Sequence, residues 1–271
     1  MMRIQKLFPI TIITLIVFLG IIKLPLEAII EDLGFTVKRA EHLSRIFKNI
    51  VIVSLSIIAI KKLKLVELSG LSRQFKWDQK YFVLIPMYLV LLGVLSLIET
   101  DLSGVSMIDT VLLFIAMLSV GFSEEFIFRG LLQSVFLKRF INHKNGVVWS
   151  IFLPALLFGL LHLLNLKLDN IAASVSQVIY AFFIGAAFGA ILLKTNKLVP
   201  LAIIHGLIDF VFSINTLIDQ DAMAGELEKQ DLMSAMGSII VVLPLFFAGL
   251  LIIRKISKKK TLEKIAMSLH E

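Results

Sequence analysis

The chain has no cysteine among its 271 residues. That excludes a disulfide framework, a cysteine nucleophile and a thiolate metal site. Any covalent or metal chemistry falls to Ser, His, Asp or Glu. Charge is also scarce. Asp, Glu, Lys and Arg make up 17% of the residues, against 58% hydrophobic. An ordinary soluble domain is roughly 25% charged and 45–50% apolar. Together with a mean hydropathy of +0.93, this leaves more apolar surface than one soluble core hides. A soluble enzyme, a disordered chain and a nucleic-acid-binding module are all excluded.

What the sequence does have is long apolar runs. A membrane-spanning helix needs about 20 mostly apolar residues. Eight candidates lie at 7–30, 46–60, 81–98, 108–137, 147–164, 171–193, 198–216 and 237–253. Unbroken runs favour helices over the alternating pattern of a membrane barrel. The expected fold is therefore all-α: a polytopic membrane protein of about eight transmembrane helices. The second candidate is short enough to be interfacial. The fourth is too long for a straight span and carries charge in its middle, which predicts a tilt or a break. The first resembles a signal peptide, but Lys23-Leu24-Pro25 follows where a small-residue cleavage pattern would stand. It reads as an uncleaved span.

The formal charge of +7 is a topology signal. With the N-terminus inside, 19 basic residues fall on inner segments and seven on outer ones. The inner set includes Lys61, Lys62, Lys138, Arg139 and the run from Arg254 to Lys260. This predicts cytoplasmic termini in a cytoplasmic membrane, with the lipid bilayer as the basic face's neighbour and no nucleic acid. Residues 61–80 read as a cytoplasmic connector and 217–236 as an acidic outer loop. No repeat is visible, and 1–271 reads as a single membrane domain. Ala181, Gly185 and Gly189 form a small-residue stripe that packs helices within the monomer or supports a homodimer.

Against this apolar background a few side chains stand out. Glu124, Glu125 and Arg129 sit in the fourth candidate, within Ser123-Glu124-Glu125-Phe126-Ile127-Phe128-Arg129-Gly130. An ionisable group at bilayer depth costs about 2.5–3.5 kcal/mol on insertion scales. Glu125 and Arg129 are one helical turn apart and can pair. Glu124 is then rotated about 100° away, free to face something else. His162 lies near the end of the fifth candidate. His205 and Asp209, four apart on one face, lie in the seventh. At 1.5 Å per residue all of them fall within one slab of a core about 30 Å thick. This suggests one polar cavity, reached from the cytoplasmic side, or else an inert interhelical polar network.

Such a cavity holds the parts of a water-activating hydrolytic site. A carboxylate partly removed from water holds a proton more readily and suits a general base. Histidines orient the water, donate to an oxyanion or hold a metal. Asp209 can fix the orientation of His205. A set of Glu124, His162 and His205 could hold a divalent metal such as zinc, although the His-Glu-x-x-His pattern is absent. Metal-bound and metal-free water activation both stay open.

The three elements together resemble the CAAX protease and bacteriocin-processing family, the type II CAAX prenyl endopeptidases. The carrying motifs are Glu124-Glu125-Phe126-Ile127-Phe128-Arg129, then Phe158-Gly159-Leu160-Leu161-His162, then His205-Gly206-Leu207-Ile208-Asp209. The resemblance covers a core at 108–215. It implies an intramembrane endopeptidase with an eight-helix core, acting on a membrane-associated peptide or protein. Glu124 would activate water, and Glu125 with Arg129 would give structural support. His162, His205 and Asp209 would complete the catalytic set, with or without metal. In bacteria it implies peptide maturation or bacteriocin self-immunity. Two other readings stand beside it: a non-catalytic scaffold or immunity protein of the same fold, and a carrier whose charged cavity moves protons.

Overall fold

The computed structural model describes residues 7–72, 79–165, 170–218, 232–257 and 261–263. Among these residues there are helices and no strands. Seven helices are long and apolar enough to cross a membrane, and Tyr81–Ser96 is a shorter apolar one. The all-α polytopic membrane fold is the observed architecture.

The first span runs Pro9–Asp32. It takes in most of α1 (Leu7–Ile22) and all of α2 (Leu26–Asp32), parted at Pro25, whose ring removes a backbone donor. Then comes α3 (Val37–Lys62). The sequence pattern marked only 46–60 here as a short, interfacial piece. The helix instead begins nine residues earlier, through a charged stretch, and is a full-length span. Ion pairs hold that stretch helical. Arg39 Nε lies 2.7 Å from Asp109 Oδ1, Lys48 Nζ lies 2.7 Å from Glu27 Oε1, and Arg45 pairs with Glu41.

The third candidate is shortened in the opposite sense. A 3-10 turn at Lys80–Leu84 and Pro86 precede α4 (Met87–Ser96), which has ten residues. It is about 15 Å long, half the hydrocarbon thickness.

The fourth segment neither breaks nor stops. α5 (Met107–Glu125), a π-helical stretch (Phe126–Gln133) and α6 (Ser134–Phe140) form one continuous helical segment, Met107–Phe140. The wider turn of a π segment relieves a helix that has one residue too many for its packing, and such segments mark functional sites often. All eight residues of this one are buried. The remaining helices are α7 (Gly146–Leu161), α8 (Ile171–Thr195), α9 (Leu198–Ser213) and α10 (Leu232–Arg254).

At the centre is α8. Ala186, Ala187, Phe188, Ala190, Ile191 and Leu192 are all buried in the main core cluster. Its small-residue stripe is occupied inside the monomer. Gly185 faces Arg129 and Ala155, and Gly189 faces Gln133 and Ile151. Gln133 Nε2 donates to the Gly189 carbonyl at 2.9 Å. The stripe therefore serves intramolecular packing.

The connector after α3 also packs inward as far as residue 72, with Leu65 and Leu68 buried. Gly70 takes φ +80, and its carbonyl accepts from Leu198 N at 3.3 Å. A Cβ there would meet Leu192 and the Leu198 backbone, so the turn needs glycine twice over. Of the expected outer loop, 219–231 lies outside the described residues.

Candidate active site

The site begins where α5 meets α9. Gly121 and Gly206 face each other at the crossing, and a Cβ on Gly121 would strike Gly206 N and the Ala202 carbonyl. Two glycines let the backbones approach closely. Glu124 lies three residues after one of them and His205 directly precedes the other. The close approach therefore sets the distance between the acid and the histidine.

Glu125 is fully buried and Arg129 is 1% exposed. Glu125 Oε1 lies 3.2 Å from Arg129 Nη1. The guanidinium also sits 4.4 Å above the centroid of the Phe158 ring, a cation–π contact of strong geometry. Sequence reasoning paired Glu125 with Arg129, and both partners of that pair are in place.

The same oxygen makes a second contact that sequence reasoning missed. His205 Nδ1 is 2.9 Å from Glu125 Oε1. In the tautomer that carries its hydrogen on Nδ1, the ring donates to this carboxylate. Orientation of His205 had been given to Asp209, but Glu125 holds the ring by its other nitrogen. This turns Nε2 toward two carboxylates, with Glu124 Oε2 at 3.5 Å and Asp209 Oδ2 at 3.8 Å. The ring is fixed further by edge contacts to Phe158 and Phe188, at centroid distances of 6.0 and 5.8 Å.

His162 is the first residue of a 3-10 turn, His162–Asn165, that closes α7. Its ring stacks edgewise on Phe158 at 5.1 Å. Phe158 thus touches His162, His205 and Arg129 at once. His162 and Glu124 share a cavity of about 180 Å³, with Phe18, Lys23, Phe128 and Leu164 in its lining. The structure therefore brings Glu124, Glu125, Arg129, His205 and Asp209 into direct contact, and sets His162 across a common cavity from Glu124. That cavity reaches Lys23 and Leu164 at the ends of α1 and α7, away from Lys138 and Arg139.

Other site neighbours were not found from sequence. Asn49 of α3 is buried. Its amide donates to Ser119 Oγ at 3.0 Å and accepts from Ser123 Oγ at 2.9 Å, one residue before Glu124. The available signal was a polar residue inside an apolar helix. Phe188 and Tyr180 carried none, since aromatic residues in spans are ordinary core.

A metal site needs three or more ligands converging on one point. Among the described residues no group of three or more His, Asp or Glu side chains is arranged to hold a metal ion. The residues as placed do not converge as the expected zinc set.

The family model "type II CAAX prenyl endopeptidase Rce1-like" matches residues 106–211. Over that segment the chain is similar to the CAAX protease family, and the match supports that assignment. The segment holds all six charged or polar site residues, from Glu124 to Asp209, and the family is one of proteases. None of the curated proteins and none of the solved structures matches the chain significantly.

Proposed function

We propose that the protein is an intramembrane endopeptidase that hydrolyses a peptide bond in a membrane-associated peptide or protein, using water activated by Glu124. The observation that carries this reading is the Glu124–His205 contact at 3.5 Å beside a cavity within bilayer-spanning helices. Water in that cavity gives a proton to Glu124 while its oxygen attacks the scissile carbonyl carbon. His162 and His205 are the side chains available to donate to the oxyanion that forms. The C–N bond then breaks, and Glu124 returns its proton to the leaving nitrogen. Glu125 keeps His205 in register and neutralises Arg129 without entering the reaction. Asp209 lies 3.8 Å from the same His205 nitrogen that faces Glu124, and helps to position the ring there. The basic segments favour cytoplasmic termini, and the Ile-, Lys- and Phe-rich composition favours a bacterial membrane.

The test uses purified protein in lipid vesicles with synthetic membrane-spanning peptides, cleavage being read by mass spectrometry. Glu124→Gln is expected to lower the rate by about 10²–10⁴-fold, the usual worth of a general base. Full cleavage by Glu124→Gln would overturn the mechanism. Absence of any cleavage by the wild-type chain, across a broad peptide set, would favour the non-catalytic scaffold.

A further inference from the structure

Two cavities reach residues of the reactive layer. The smaller takes in Glu124 and His162. The larger, about 350 Å³, lies between α4, α8, α9 and α10. Leu89, Tyr180, Ile184, Asp209, Ser238 and Val242 line it.

Particular residues keep this space open. Gly93 of α4 lies so close to Val211 and Phe212 of α9 that a Cβ would clash, which draws α4 against α9. Five residues earlier, Tyr88 Oη donates to the Val241 carbonyl at 2.8 Å and ties α4 to α10. Pro244 stands inside α10, where it removes one helical hydrogen bond and favours a bend. It sits less than one turn beyond Val242. These contacts fix α4 against α9 and α10 around the cavity. Protein interiors otherwise close such spaces, leaving few voids larger than a water molecule.

We infer that this cavity is the pocket for one apolar side chain of the substrate, next to the scissile bond, and that Val242 and Ser238 set its size. The inference rests on the peptidase reading. Position supports it first. Asp209 lines the cavity and its Oδ2 is 3.8 Å from His205 Nε2. A group in the cavity is therefore one side chain away from a carbonyl held at His205. The chemistry of the walls agrees. They are apolar over most of their extent, and the Asp209 carboxylate marks the end that meets the reactive layer. An amino-acid residue has the same polarity: an apolar side chain at one end and a polar amide at the other. Size agrees as well, since 350 Å³ falls at the small end of the roughly 300–1,000 Å³ range of ligand pockets. The cavity on the Glu124 side is half as large and carries the base, which suits it to water.

The experiment uses the full chain in phosphatidylcholine–phosphatidylglycerol vesicles. The probe is a pool of synthetic membrane-spanning peptides with one guest position varied among Gly, Ala, Val, Leu and Phe. Mass spectrometry of the products reads the residues flanking each cut. The wild type is expected to cut beside large apolar guests. Ser238→Phe narrows the pocket and moves preference about tenfold toward Gly and Ala. Val242→Ala widens it and moves preference about tenfold toward Phe, the discrimination expected for one or two methylene groups. Opposite shifts from two variants exclude a general loss of folding, and circular dichroism melts accompany both. Cleavage that needs Glu124 but keeps one guest preference in all three proteins overturns the pocket alone. A change in co-purified lipid, with preference unmoved, assigns the cavity to a lipid chain and also overturns it. Wild type and Glu124→Gln cutting equally, or neither cutting, removes the peptidase reading and the pocket with it.

Discussion

Gly206→Ala tests the reasoning about the α5–α9 crossing most directly. A Cβ built on Gly206 lies 2.6 Å from Leu118 Cα and 2.9 Å from the Met117 carbonyl oxygen. Non-bonded carbon contacts are optimal at about 3.5–4.0 Å. Both neighbours are backbone and cannot rotate away, so the two helices must part by about 1 Å. His205 precedes the substituted residue, and its Nδ1–Glu125 Oε1 hydrogen bond is 2.9 Å long. Adding that displacement takes the bond beyond the roughly 3.2 Å limit of good geometry. A misplacement of about 1 Å in a catalytic constellation costs on the order of 10²-fold in rate. Stability responds less. Overpacking costs about 1–3 kcal/mol, while alanine's better helix propensity offsets up to about 1 kcal/mol. The assay is peptide cleavage in vesicles beside a thermal melt, with Gly237→Ala as control, because nothing lies within 4 Å of a Cβ there. Gly206→Ala is expected to melt within a few degrees of wild type and to cleave about 10²-fold more slowly. A rate within about threefold of wild type, under 1 kcal/mol of barrier, would refute the claim that this crossing sets the site.

Other outcomes follow from neighbouring contacts. Glu125→Gln leaves Arg129 buried without its counter-charge, and breaking one side of a buried pair costs about 3–5 kcal/mol. It should lower the melting temperature far more than Glu124→Gln, and equal melts would contradict the separation of the two glutamates' roles. Asn49→Ala removes two hydrogen bonds between α3 and α5. Side-chain bonds between membrane helices average about 0.6 kcal/mol and reach about 1.7, so a modest drop is expected. A drop as large as that of Glu125→Gln would assign Asn49 a larger part in the fold. Addition of a strong chelator should leave cleavage unchanged within about twofold; a loss restored by zinc would require a metal in the mechanism.

The membrane character and most of the helices were legible because lipid imposes a crude rule. A span must be apolar over its length, and an ionisable residue within it must have a reason. Glu124, Glu125, Arg129, His162, His205 and Asp209 were visible for that reason. Helix limits were less legible where local composition and tertiary pairing disagreed. The start of α3 looks like a polar loop until Asp109 and Glu27 are set beside Arg39 and Lys48. Residues 81–98 look like a span, but a 3-10 turn and Pro86 leave only a short helix, Met87–Ser96.

Sequence by itself determined that this chain is an all-helical membrane protein and which few ionisable residues lie within its spans. Those follow from composition and spacing within single helices. Only the tertiary structure decided that Glu125 bridges Arg129 and His205, that His205 turns Nε2 to Glu124 and Asp209, and that one cavity reaches Glu124 and another Asp209. Each of these depends on how closely separate helices approach. That approach is set by glycines at crossings and by buried hydrogen bonds between residues far apart in the chain, and spacing along one helix carries no record of either.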